Sequence, residues 1–92
     1  MSEKVRVEVN FRGRVQGVGF RYTTRSIAAG FDVGGYVKNL PDGSVELVAE
    51  GDKKEIEAFL GAVKKQMSGY ITGLAERYSE PAGGFERFTV AF

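Results

Sequence analysis

The 92-residue sequence contains no cysteine and no histidine. Those two gaps remove disulfide staples, thiolate nucleophiles, imidazole bases and nearly all zinc or haem ligation. An enzyme built from this chain must work with arginine, lysine, carboxylates, hydroxyls, amides and its own backbone. Its reaction then relies on positioning and charge stabilisation more than on proton shuttling. Also absent is any apolar run near the ~18 residues of a membrane span, and the N-terminal MSEKVRVEV lacks the apolar core of a secretory signal. No internal repeat, linker or low-complexity tract divides the chain. The expectation is one soluble, cytoplasmic domain over residues 1–92, working as a monomer with no membrane partner, no cofactor and no metal.

Charge of one sign is scarce overall but not locally. The 13 basic and 12 acidic side chains leave a net charge of +1, too even for a dedicated nucleic-acid binder, so no nucleic-acid partner is expected. Residues 1–25 nevertheless hold Lys4, Arg6, Arg12, Arg14, Arg21 and Arg25 against Glu3 and Glu8, a local balance of +4. The positive charge gathers around Gly13 to Arg21, which reads GRVQGVGFR.

Hydrophobic periodicity orders the elements. Val5, Val7, Val9 and Phe11 alternate with polar residues, the period-2 pattern of a strand with one buried face. Phe20, Thr24, Ile27, Ala28 and Phe31 then follow helical spacing, ending near Gly30 and Gly34-Gly35. Gly35–Asn39 and Ser44–Glu50 read as a hairpin across Leu40-Pro41-Asp42-Gly43. Asp52 with Glu55 predicts the start of a second helix whose apolar face is Ile56, Phe59, Leu60, Val63 and Met67, closed by Gly69. Ile71–Ser79 and Phe85–Phe92 supply the final strands, with Pro81 to Gly84 between them. The order βαββαβ with an extra C-terminal strand predicts an α+β fold, a ferredoxin-like two-layer sandwich in which two helices cover a mixed, mainly antiparallel sheet.

The glycine-rich segment joins the first strand to the first helix. Gly13, Gly17 and Gly19 lack the Cβ that would hold a ligand off the main chain, and the helix beginning near Arg21 aims its partial positive end at the same place. Neither the G-x-x-x-x-G-K-S/T loop nor the G-x-G-x-x-G fingerprint fits: no lysine stands at the required spacing, and Tyr22 occupies the third glycine position. What remains is a cradle for one phosphoryl-sized anion, formed by N–H groups from about Gln16 through Gly17, Val18 and Gly19 to Phe20, with Arg21 as a two-pronged fork. The alternative is a tight strand-to-helix turn and a solvated arginine. Asn39 carries the same two readings. It either hydrogen-bonds the following turn, or it stands beside the glycine loop and orients a water toward a bound phosphoryl group.

Together the two segments resemble the acylphosphatase family. Gly13, Val15, Gln16, Gly17, Val18, Phe20 and Arg21 match its first signature, while Gly35, Tyr36, Val37, Lys38, Asn39, Gly43, Val45 and Gly51 match its second. The resemblance spans the whole chain and implies Arg21 as the phosphate-binding arginine, Asn39 as the holder of the nucleophilic water and Val15–Phe20 as the backbone cradle. It further implies a small-molecule acyl phosphate as substrate and inorganic phosphate as product. Phe11 stands where the family takes an aliphatic residue, an expected core substitution. Asp32 stands where glycine usually does, so a left-handed backbone is expected there. A non-enzymatic anion-binding module and an RNA-binding sheet are the rival readings, the second weakened because GVGFRY lies in a loop and helix start rather than on central strands.

Overall fold

The alternating residues at the N-terminus form β1 (Lys4–Gly13), whose Val5, Val7, Val9 and Phe11 are buried. The coordinates, a computed structural model, describe residues 3–92. After β1 come α1 (Phe20–Ala28), β2 (Val33–Asn39), β3 (Val45–Asp52), α2 (Lys53–Gln66), β4 (Ile71–Ser79) and β5 (Phe88–Ala91). The sheet order is β4-β1-β3-β2-β5, antiparallel throughout except for the parallel β2–β5 pair. This is the predicted ferredoxin-like architecture. No helix among the described residues is long and apolar enough to cross a membrane.

Register decides which face each residue joins. Val7 faces Ala49, Val9 faces Leu47 and Phe11 faces Val45, while Val37 pairs with Leu47 and Asn39 with Val45. Directly paired residues share a face, so Asn39 lies on the same face as the valine row. Phe20 and Ala28 of α1 and Ile56, Phe59, Leu60 and Val63 of α2 meet that row in one core cluster. Fully burying each of these side chains larger than Ala28 stabilises by roughly 1.5–3 kcal/mol. Aromatic contacts knit the layers: the Phe11 and Phe20 ring centroids lie 5.1 Å apart, and those of Phe59 and Phe88 lie 5.3 Å apart. Phe11 is fully buried as the expected core substitution.

Several local expectations are corrected. No non-glycine residue among those described has positive φ, so Asp32 does not take a left-handed conformation. The chain instead leaves α1 through tight turns, with the Gly30 N–H donating to the Ile27 carbonyl and the Phe31 N–H to the Ala28 carbonyl, both at 3.0 Å. The Asp32 N–H then donates to Glu55 Oε1 at 2.8 Å. Glu55 is thereby engaged with the α1–β2 connection, and Asp52 pairs with Lys4 at 3.2 Å. The final strand is shorter than its alternation suggests: residues 85–87 lie outside β5. Phe85 there leans on Tyr36 across the outer face, with ring centroids 6.2 Å apart.

Topology brings the predicted site to one end of the sheet. β1 and β2 both pair antiparallel to β3, and β5 runs parallel to β2. The C-terminal ends of β1, β2 and β5 therefore point the same way, as does the start of α1, which must fold back over the sheet. Gly13, Asn39 and Ala91 share that end.

Candidate active site

The loop between β1 and α1 is pinned at both ends by core residues. Val15 is fully buried and Phe20 is 2% exposed, whereas Gly17 and Gly19 between them are exposed. Burial fixes where the loop begins and where the helix starts, and the glycines make the bend. Gly17 and Gly19 each have φ 77°, a left-handed conformation that an L side chain enters only at a cost of about 1–2 kcal/mol. A Cβ on either would meet nothing within 4 Å, so backbone conformation rather than crowding requires glycine. Gly19 is the N-cap of α1 and brings no capping side chain. The first N–H groups of the helix have no intrahelical acceptor and stand at the positive end of its dipole, suited to an anion.

Arg21 is the second residue of α1 and turns toward β5. Its Nη1 donates to the Ala91 carbonyl at 3.4 Å, and its guanidinium carbon lies 4.9 Å from the Phe92 ring centroid and 6.0 Å from that of Tyr22. Among the described residues Arg21 joins no ion pair, nor do Arg12, Arg14 and Arg25. Four guanidinium groups at or near this end of the sheet thus form no ion pair among the described residues and give it a positive field.

Gln16 ties the glycine loop to the β2–β3 turn. Its Nε2 donates to the Leu40 carbonyl at 2.8 Å and to the Ser44 carbonyl at 2.9 Å, while the Leu40 N–H donates to the same Ser44 oxygen at 2.9 Å. Asp42 accepts from both the Ser44 hydroxyl, at 2.5 Å, and the Ser44 N–H, at 2.9 Å. The Ser44 hydroxyl, then its N–H, and weakly the charge of Arg12 hold the Asp42 carboxyl below the usual carboxylate range. The turn is therefore closed by Gln16 and Asp42. Asn39 does not serve it: its buried Oδ1 has no hydrogen-bond partner among the described residues. A buried amide oxygen left unpaired is costly unless a ligand or water takes the position.

These contacts sort the sequence-derived candidates. Val15 through Phe20, Arg21 and Asn39 all border one end of the sheet, and Gln16 bonds the residue next to Asn39. Tyr36 lies on the opposite face, where its hydroxyl donates to Glu46 at 2.9 Å. Tyr70 and Tyr78 are 38% and 41% exposed, whereas Phe88 is buried. Sequence reasoning missed the Gln16 side chain, whose partners lie 24 and 28 residues away, and the Ala91–Phe92 contacts of Arg21. No local spacing encodes either pairing.

Comparison with known proteins shows the family. The Acylphosphatase family model matches residues 7–90. The chain belongs to the acylphosphatase family. Two similar relatives are the acylphosphatase of Syntrophotalea carbinolica, 45% identical over 96% of this chain and 97% of that one, and that of a Synechococcus strain, 44% identical over 98% and 96%. Among solved structures, the crystal structure of acylphosphatase from Bacillus subtilis superposes with a TM-score of 0.86 at 33% identity, covering 96% of this chain and 99% of that one. The family-model match contains both glycine-bearing segments and most of the sheet.

Proposed function

We propose that this chain hydrolyses acyl phosphates to a carboxylate and inorganic phosphate. In this reading the N–H groups of Val15–Phe20 and the fork of Arg21 hold the phosphoryl oxygens, and Asn39 Oδ1 accepts a hydrogen bond from the attacking water. The observation that carries it is the pairing of an anion-suited helix start with a buried, unpartnered Asn39 oxygen at the same end of the sheet. Family membership and the likeness to proteins named acylphosphatase support the substrate class.

The chemistry suits a site without imidazole or thiolate. Water oxygen bonds to phosphorus, the bond from phosphorus to the acyl oxygen breaks, and its electron pair leaves on a carboxylate. That leaving group is stable as an anion and needs no strong general acid. The water's proton passes to a phosphoryl oxygen of the substrate itself. The protein contributes alignment and charge neutralisation, which dominate phosphoryl transfer in general. Arginine and backbone donors supply that charge in place of a metal ion. The reading also takes residues 1–92 as a single domain acting as a cytoplasmic monomer.

Phosphate release from benzoyl phosphate, followed with a chelator present, tests the proposal. Saturable release inhibited competitively by inorganic phosphate is expected. Absence of release overturns the activity, and release that requires an added divalent ion overturns the metal-free mechanism.

A further inference from the structure

Two large exposed rings stand against the arginine of the site. Phe92 is 84% exposed and Tyr22 is 50% exposed, although each is within cation–π range of the Arg21 guanidinium. Arg25 lies over the same Tyr22 ring at 5.6 Å. Tyr22 precedes Thr23, whose N–H closes the first helical bond onto Gly19 at 3.0 Å, so the ring is carried by a fixed helix turn rather than a loose loop. Phe92 follows β5, whose Ala91 carbonyl meets Arg21. The two rings thus come from opposite sides, one from the helix and one from the strand end, and meet the same side chain.

Their exposure is the informative part. Large aromatic surface left in water is unfavourable by roughly 25 cal/mol per Å² relative to burial. Here it lies beside the group that would hold a phosphate. The acyl half of a bound acyl phosphate must project from that phosphate past whatever surrounds Arg21. Resting on the phosphate-site reading above, we infer that Tyr22 and Phe92 form the acyl-group subsite, which takes substrates whose acyl group is aromatic or extended and apolar. Small acyl groups such as acetyl reach neither ring and gain only the phosphate contacts. A flat ring stacks on or against either aromatic and covers apolar area that the free protein exposes.

Stable phosphonates separate this subsite from the reaction. Dissociation constants of phenylphosphonate and methylphosphonate are measured by calorimetry for the wild type, Tyr22→Ala, Phe92→Leu and the Tyr22→Ala/Phe92→Leu double variant. The wild type is expected to favour the phenyl compound by about tenfold, as partial burial of one ring gives. Tyr22→Ala should lower that ratio to about threefold, and the double variant should bring it near one. Both side chains are exposed, so neither substitution opens the core. An equal affinity for the two compounds in the wild type overturns the inference. It is equally overturned if the variants weaken both ligands together at constant ratio, because the rings then act only by holding Arg21. A phenyl preference in a protein that releases no phosphate from benzoyl phosphate sustains the subsite and overturns the hydrolytic reading instead.

Discussion

Two parts of this molecule gather the same donors, and only one supplies its own anion. On the outer face of the sheet, the Ala82 N–H donates to Glu50 Oε2 and the Gly83 N–H to Glu50 Oε1, both at 2.9 Å. Arg6 Nη1 completes the set with a 2.9 Å bond to Oε2. At the sheet end, the glycine loop offers backbone N–H groups from left-handed glycines and the Arg21 guanidinium, with no carboxylate paired to it among the described residues. Gly83 has φ 80°, close to the 77° of Gly17 and Gly19. Filled by a protein carboxylate, such a cradle fastens the β4–β5 connection to the sheet. Left without one, it suits a ligand. The difference lies in one residue, the inward-held Glu50, rather than in the backbone.

The comparison breaks most visibly at Asn39, which has no counterpart beside Glu50. Asn39→Ala is expected to cut turnover of benzoyl phosphate on the order of 10²-fold, the usual scale for a lost positioning group, while inorganic phosphate still inhibits competitively. Unchanged turnover rules out the water-holding role. Loss of phosphate inhibition in step with turnover means that Asn39 shapes the cradle rather than the nucleophile.

Next in size is Glu50→Gln, which tests the filled cradle. Burial pushes the Glu50 carboxyl up, but the Ala82 N–H, Arg6 and the Gly83 N–H together outweigh it and hold the pKa below the ordinary glutamate value of 4.5. An amide places an N–H where a backbone N–H already points, so the substitution should destabilise by about 2 kcal/mol. Thermal denaturation should show a fall of roughly 10 °C, with phosphate affinity unchanged. The native pKa is the lower one, so the charged carboxylate stabilises fully above the unfolded value and that stabilisation is lost as pH falls through the folded value. Wild-type stability should therefore decline below about pH 4.5, and Glu50→Gln should flatten part of that decline. Glu8 and Asp42, also held low by hydrogen bonds, contribute to the same decline. An altered phosphate affinity in Glu50→Gln would show that the two cradles are coupled.

Arg21→Lys tests the unfilled cradle in turn. A single ammonium cannot replace a planar fork on two phosphoryl oxygens, and it gives weaker cation–π contact with Phe92. Phosphate affinity should fall about tenfold with little change in melting temperature. Retained affinity would remove Arg21 from the phosphate site.

How much of this was legible in the sequence follows from the range of each interaction. The valine row of β1 and the apolar face of α2 announced their elements because periodicity is local and repeats. Gly13 to Arg21 suggested a candidate anion cradle because backbone conformation and helix start are also local. Asn39 was legible as a candidate, but its place on the helix-covered face came from pairing with Val45, a matter of sheet register. The Gln16 strut, the Glu50 latch and the Ala91 carbonyl at Arg21 join residues 24 to 70 positions apart. Asp32 shows the converse: the sequence suggested a left-handed residue, whereas tight turns after Ala28 and the carboxylate of Glu55 provided another route.

The smallest effect gives the sharpest form of the comparison, because it applies one substitution to both cradles. Gly17→Ala and Gly83→Ala each place a Cβ on a residue with nearly the same positive φ, and in each the Cβ meets nothing within 4 Å. Backbone strain alone is then at issue, about 1 kcal/mol at either position. Denaturant unfolding should give nearly equal stability losses. Phosphate affinity should respond only to Gly17→Ala, by a few-fold, because only there do the displaced N–H groups face a ligand; at Gly83 the displaced donor faces Glu50. If Gly83→Ala weakens phosphate as much as Gly17→Ala, a general loosening of the sheet explains both. If neither does, the ligand at the sheet end is held by Arg21 without the loop backbone.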